Sequence, residues 1–176
     1  MGNSMPKEPN GTKILVSYFS HSGNTREIAQ QIQRLTGGDL FEIVSVQPYP
    51  EDYDTVVEQA KKELGMAYRP QLKVLLESVA AYDTVFIGYP NWWNTFPMPV
   101  ATFLRDNDFS GKTIAPFCTH EGSGLGRSVA DVVKACRQAK VTRGLAIRGG
   151  SVKKAGDQVS RWIEEILNLK IQGAIL

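Results

Sequence analysis

The stretch Lys13-Ile14-Leu15-Val16-Ser17-Tyr18-Phe19-Ser20-His21-Ser22-Gly23-Asn24-Thr25 decides how this chain folds. Its first seven residues are a mostly apolar, strand-like run. The six that follow are polar and contain a glycine, and beyond them Ile28, Ile32 and Leu35 recur at the spacing of one helix face. Gly37-Gly38 then stops that helix. Strand, polar turn and helix succeed one another within 26 residues, and the pattern repeats along the chain.

Leu40–Val46 reads as a second strand, with Glu42 and Ser45 marking a wetter edge position. Tyr53, Val56, Val57, Ala60 and Leu64 form the next helical stripe, ended by Gly65. Thr84–Tyr89 is a third strand, apolar enough to be covered on both faces. Val100, Phe103 and Leu104 supply a helix after it. Lys112–Cys118 is a fourth strand, followed by Leu125, Val129, Val132, Val133 and Cys136 at helical spacing. Thr142–Ile147 makes a fifth strand, and Val152, Val159, Ile163 and Ile166 line a last helix. In the less regular region Met66–Tyr82, a short helix is expected around Leu72–Val79.

Strands separated by helices of crossover length predict an α/β fold, a doubly wound five-stranded parallel sheet. Residues 1–12 read as a disordered polar tail and residues 13–176 as one domain. Lys plus Arg outnumber Asp plus Glu by only 20 to 18, which excludes the strong fields that bind nucleic acid or anionic membranes. No apolar run approaches the roughly 20 residues of a membrane span, and the polar N-terminus has no secretory apolar region, so a cytoplasmic protein is expected. Cys118 and Cys136 are then expected as reduced thiols.

In an open parallel sheet, ligands collect beyond the carboxyl ends of the strands. Three loops at that end are distinctive. Ser20-His21-Ser22-Gly23-Asn24-Thr25 places hydroxyls and an amide at the mouth of a helix, whose unpaired N–H groups favour a phosphate. An ordinary helix cap is the plainer alternative. The loop lacks the Gly-Lys-Thr of a triphosphate site, and the Gly111-Lys112-Thr113 found elsewhere precedes a strand instead of following one. After the third strand, Tyr89-Pro90-Asn91-Trp92-Trp93-Asn94-Thr95-Phe96-Pro97 is crowded with aromatics, which suit a planar ligand but equally a core plug or a partner surface. After the fourth, Thr119-His120-Glu121-Gly122-Ser123-Gly124 lets backbone approach a flat ligand edge. With strand order 2-1-3-4-5, the first and third strands flank the switch point of the sheet, so the first two loops are neighbours. A phosphate site beside an aromatic plane describes a phosphorylated flavin.

On these three loops, in this order, the chain resembles the flavodoxin family, specifically its short-chain, flavin mononucleotide (FMN) binding members, over about residues 13–169. The resemblance implies that Ser20, Ser22, Asn24 and Thr25 hold the FMN phosphate, that Pro90–Trp93 flank the isoalloxazine, and that the Thr119–Gly124 backbone meets its pyrimidine edge. His21, Gly23, Asn94, His120, Glu121, Gly122 and Ser123 complete the expected cofactor site. It implies an electron-transfer protein in which the flavin carries the chemistry. The alternative is an FMN-dependent reductase of quinones or other small molecules using NAD(P)H. The expected partners are a redox protein or a small-molecule acceptor, with the chain a monomer or a homodimer. A hydrolase built on Ser22 or Ser123 with His21 or His120 lacks the Gly-x-Ser-x-Gly elbow.

Two features depart from the family pattern. The net charge is +2 where well-known flavodoxins are acidic, which predicts a less negative flavin potential. Met66–Tyr82 also replaces a brief link, and its Tyr68 and Arg69 either reach over the flavin or pack as surface.

Overall fold

The computed structural model describes residues 12–173; all of the expected tail except Thr12 lies outside the described residues. The chain runs β1 (Ile14–Tyr18), α1 (Asn24–Thr36), β2 (Asp39–Glu42), α2 (Tyr53–Gly65), β3 (Thr84–Pro90), α3 (Met98–Asp106), β4 (Thr113–His120), α4 (Ser128–Ala135), β5 (Lys140–Val141), β6 (Leu145–Arg148), a 3-10 turn over Gly149–Lys154, and α5 (Gly156–Gly173). The sheet order is β2-β1-β3-β4-β5, with β6 also paired to β4, and every strand pair is parallel. This is the doubly wound arrangement that the alternation of elements predicts, with the strand order of the flavodoxin-like fold that the resemblance implies.

Strand alternation divides the core in two. Leu15, Val85, Ile87 and Ile114 join α3 and α4 residues on one face, while Val16, Phe86, Ala115 and Phe117 join α1 and α5 on the other. All five residues of β1 are buried, so the run reads as continuous apolar sequence with one exception. That exception, Ser17, donates its hydroxyl to the Phe86 carbonyl at 2.8 Å and is thereby satisfied in the core. Gly88 on β3 makes room for its β4 neighbour: a Cβ there would sit 2.1 Å from the Phe117 ring.

Four sequence expectations need correction. Leu72–Val79 is not a helix. Ser45 and Leu72 form an antiparallel bridge, with Val46 N–H donating to the Gln71 carbonyl and Lys73 N–H to that of Val44. Leu72 and Val79, seven residues apart, are two separate anchors in the core rather than one helix face. The second strand is correspondingly shorter than Leu40–Val46, ending at Glu42, and it does lie at the sheet edge.

The fifth strand divides into β5 and β6 because the Trp162 indole N–H of α5 takes the Arg143 carbonyl at 3.0 Å, while Gly144 is pressed against Leu125 and Val129. Leu125 and Val152 fall outside the helices assigned to them, Leu125 in the turn before α4 and Val152 in the 3-10 turn before α5. Among the described residues, no helix is long and apolar enough to cross a membrane.

Candidate functional site

The three loops singled out in the sequence follow β1, β3 and β4, which are adjacent in the sheet, so all three emerge side by side at its carboxyl end. Thr119, the penultimate residue of β4, ties them together. Its buried hydroxyl pairs with that of Thr25 at 2.8 Å, and its carbonyl accepts the Asn91 N–H at 2.8 Å. One residue thus joins the first turn of α1, the loop after β3 and the loop after β4.

The first loop turns into α1 through Gly23, whose φ of 100° is a left-handed conformation that favours glycine. The Ser20 hydroxyl oxygen accepts N–H bonds from Gly23 at 3.1 Å and Arg26 at 3.3 Å. Its own proton is left to donate elsewhere. No protein partner engages the side chains of Ser22 and Asn24 among the described residues, and space is open where a Gly23 Cβ would stand. His21, exposed, is bonded through Nε2 to the Pro50 carbonyl at 2.9 Å.

In the second loop, Asn91 bridges outward, donating its amide to the Gly124 carbonyl at 2.8 Å and accepting the Asn94 N–H at 2.9 Å. Trp92 is half-buried among Phe19, Tyr49 and His21, with ring centroids 5.4, 5.0 and 5.7 Å away in edge-on geometry. Trp93 has φ of 54° and Asn94 φ of 72°. The strained Trp93 is fixed by an indole N–H bond to the Val57 carbonyl at 2.8 Å, with the Lys61 ammonium 5.1 Å from its ring. It is nonetheless 44% exposed. Tyr89, counted with the aromatics of this loop in the sequence, is instead buried in β3, its hydroxyl donating to Ser128 Oγ at 2.9 Å.

The third loop is the most open. Glu121, Gly122 and Ser123 are exposed, and His120 Nδ1 accepts the Gly122 N–H at 2.9 Å. Cys118 lies beneath it, Sγ 3.7 Å from the Gly124 carbonyl, with burial pushing its thiol pKa up to about 12. Neither histidine is bonded to Ser22 or Ser123, so the residues of the hydrolase alternative are present without its geometry.

Three contributions went unread in the sequence. Phe19 and Tyr49 frame Trp92, Tyr49 from the loop after β2. Gly149 follows β6 at the same end of the sheet, where the side-chain tips of Glu121 and Asn24 converge on it; a Cβ there would push both tips aside. Arg148 Nη2 reaches the Glu121 carbonyl at 3.3 Å. The available signals were position at a carboxyl strand end and the pairs Gly149-Gly150 and Pro48-Tyr49. In the 66–82 segment, Arg69 Nη1 bonds the Ala67 and Tyr68 carbonyls and lies 3.6 Å from Met98 Sδ.

The donor set fits a phosphate followed by a flat ring: among the described residues the Ser22 hydroxyl and the Asn24 amide have no protein partner, and the Ser20 hydroxyl keeps its proton to donate, at a helix start beside an aromatic wall. The family model described as flavodoxin matches residues 13–166, and the chain belongs to that family. It is 30% identical to a candidate flavoprotein of Bacteroides uniformis ATCC 8492, covering 87% of this chain and 98% of that one with a TM-score of 0.78. A candidate flavoprotein of Bacteroides eggerthii DSM 20697 is 32% identical, over 85% and 98% of the two chains, with a TM-score of 0.72. A flavoprotein of Lactobacillus acidophilus NCFM, solved in complex with FMN, shares the fold at 24% identity over 81% and 97%, with a TM-score of 0.65. No curated protein matches the sequence.

Proposed function

We propose that this flavodoxin-family chain binds FMN across its three carboxyl-end loops and serves as an electron carrier. The observation that carries the reading is the Thr119 junction, which holds the first turn of α1 and the aromatic loop in fixed relation. Bound there, FMN supplies the one- or two-electron chemistry.

The residues act by holding and orienting. The first amides of α1 and the hydroxyls of Ser20 and Ser22, with the Asn24 amide, donate to the phosphate. Thr25, locked to Thr119, fixes the turn that presents them. Pro90 to Trp93 flank the ring system, and the Thr119–Gly124 backbone meets its polar edge. Nanomolar retention needs about 12 kcal/mol net, and charge-assisted bonds contribute about 1.5 to 3 kcal/mol each, so several contacts must act together.

The carrier reading is supported by the packing of Trp92. Phe19, Tyr49 and His21 surround its ring edge-on and hold the aromatic wall in place, which suits a protein whose part is to hold and orient a flavin. The test is in two parts. Freshly purified protein is expected to show an oxidised-flavin visible spectrum bleached by dithionite, and a colourless protein that takes up no added FMN overturns cofactor binding. The FMN-loaded protein is expected to oxidise NADH or NADPH with quinone no faster than free FMN; sustained turnover selects the reductase.

A further inference from the structure

Beyond the far end of the second loop, beside Thr95 and Phe96, lies a cavity of about 450 Å³, within the range of small-molecule sites. It lies between the end of α2, the Ala67–Arg69 segment, and helices α3 and α4. Leu64, Phe96, Met98 and Ala101 form its apolar wall, and Arg69, Arg105 and Lys134 stand around it with a single acid, Asp131.

The charges do not cancel. Arg105 is paired with Asp106 at 2.8 Å. Asp131 is already engaged: Oδ2 accepts the Thr95 hydroxyl at 2.6 Å and Arg127 Nε at 3.1 Å. Lys134 stays 4.0 Å from its other oxygen and is largely exposed. Arg69 has only carbonyls and the Met98 sulfur as partners, with no carboxylate among the described residues. An apolar hollow with two under-compensated cations at its rim is built for a molecule with a greasy body and one negative charge.

The geometry points to a second binding site, for a small carboxylic acid whose apolar body rests on Leu64, Phe96 and Met98 and whose carboxylate meets Arg69 and Lys134. The site is wired to the aromatic loop. Thr95, in its wall, exchanges backbone bonds with Trp92 in both directions, at 2.9 and 3.3 Å, and Trp92 shares a smaller adjoining hollow with Leu64, Phe96 and Met98. None of the lining residues belongs to the proposed FMN loops apart from Thr95 and Phe96 at the far end of the second, so the inference does not depend on the chain holding a flavin.

The test titrates the purified, 15N-labelled chain with 4-phenylbutyrate and, separately, with 4-phenylbutan-1-ol. The acid is expected to shift the amides of Phe96, Met98, Val100, Ala101 and Asp131 to Ala135 saturably, and to bind at least about tenfold more tightly than the alcohol, the worth of one charge-assisted bond. The double variant Arg69→Ala, Lys134→Ala, both exposed positions, is expected to keep a native spectrum and to bind the acid no better than the alcohol. Equal binding of acid and alcohol, saturable shifts confined elsewhere, no saturable shift, or full acid affinity in the double variant would each overturn the proposal.

Discussion

The Thr119 junction and the segment from Met66 to Tyr82 both lie outside regular helices for most of their length, yet they are ordered by opposite means. Around Thr119, short-range chemistry dominates: a left-handed glycine, one serine hydroxyl that accepts two amides at the helix mouth, and one hydroxyl pair between adjacent loops. The 66–82 segment has almost no local order of its own. It is pinned at a distance by Leu72 and Val79 in the core, by backbone bonds to Val44 and Val46, and by the Tyr82 hydroxyl on Asp39 at 2.7 Å. Local ordering positions the donors of the three loops, whereas remote anchoring covers a sheet edge and brings Arg69 to the rim of the second cavity.

Substitutions can separate these two modes. The largest loss of stability is expected from Leu72→Ala, which removes a buried anchor: about 2 to 5 kcal/mol by urea unfolding, with FMN affinity changed less than about twofold because the loops are remote. A marked fall in FMN affinity in that variant would show the segment to be part of the site. Thr25→Val breaks the junction itself and strands the buried Thr119 hydroxyl. It is expected to cost about 1 to 3 kcal/mol of stability and to weaken FMN binding about tenfold, read by fluorescence titration.

Ser22→Ala should leave the melting temperature unchanged, since Ser22 is exposed and unpartnered. It is expected to raise the Kd for FMN about tenfold through one lost charge-assisted bond, without altering binding of riboflavin, which has no phosphate. Equal losses for both ligands would put the phosphate somewhere else. The smallest effect is expected from Glu121→Gln. With the carboxylate converging on Gly149 beside Asn24, its removal should tighten FMN binding by roughly a factor of three at low ionic strength, fading as salt is added.

The same contrast explains what could be read from the residues alone. β1, β3 and β4 were legible because each is a run buried on both faces, and the three loops because their chemistry is contiguous in sequence. Leu72 and Val79 mimic a helix face by spacing, and only their partners in the folded core show otherwise. Arg143 and Gly144 break the last strand through contacts with Trp162, Leu125 and Val129, none of them a neighbour in sequence. Gly149 joins the site for the same reason, brought there by the return of β6 to β4 rather than by any local motif.

That interruption of the last strand has a colloidal consequence. On one border of the sheet β5 holds two residues and β6 four, and on the other β2 holds four before the chain turns to its bridge with Leu72. Neither border offers a long, straight row of free peptide groups for a neighbouring molecule to copy. Concentrated, gently warmed solutions are therefore expected to stay clear of fibrils, with thioflavin T emission flat over days.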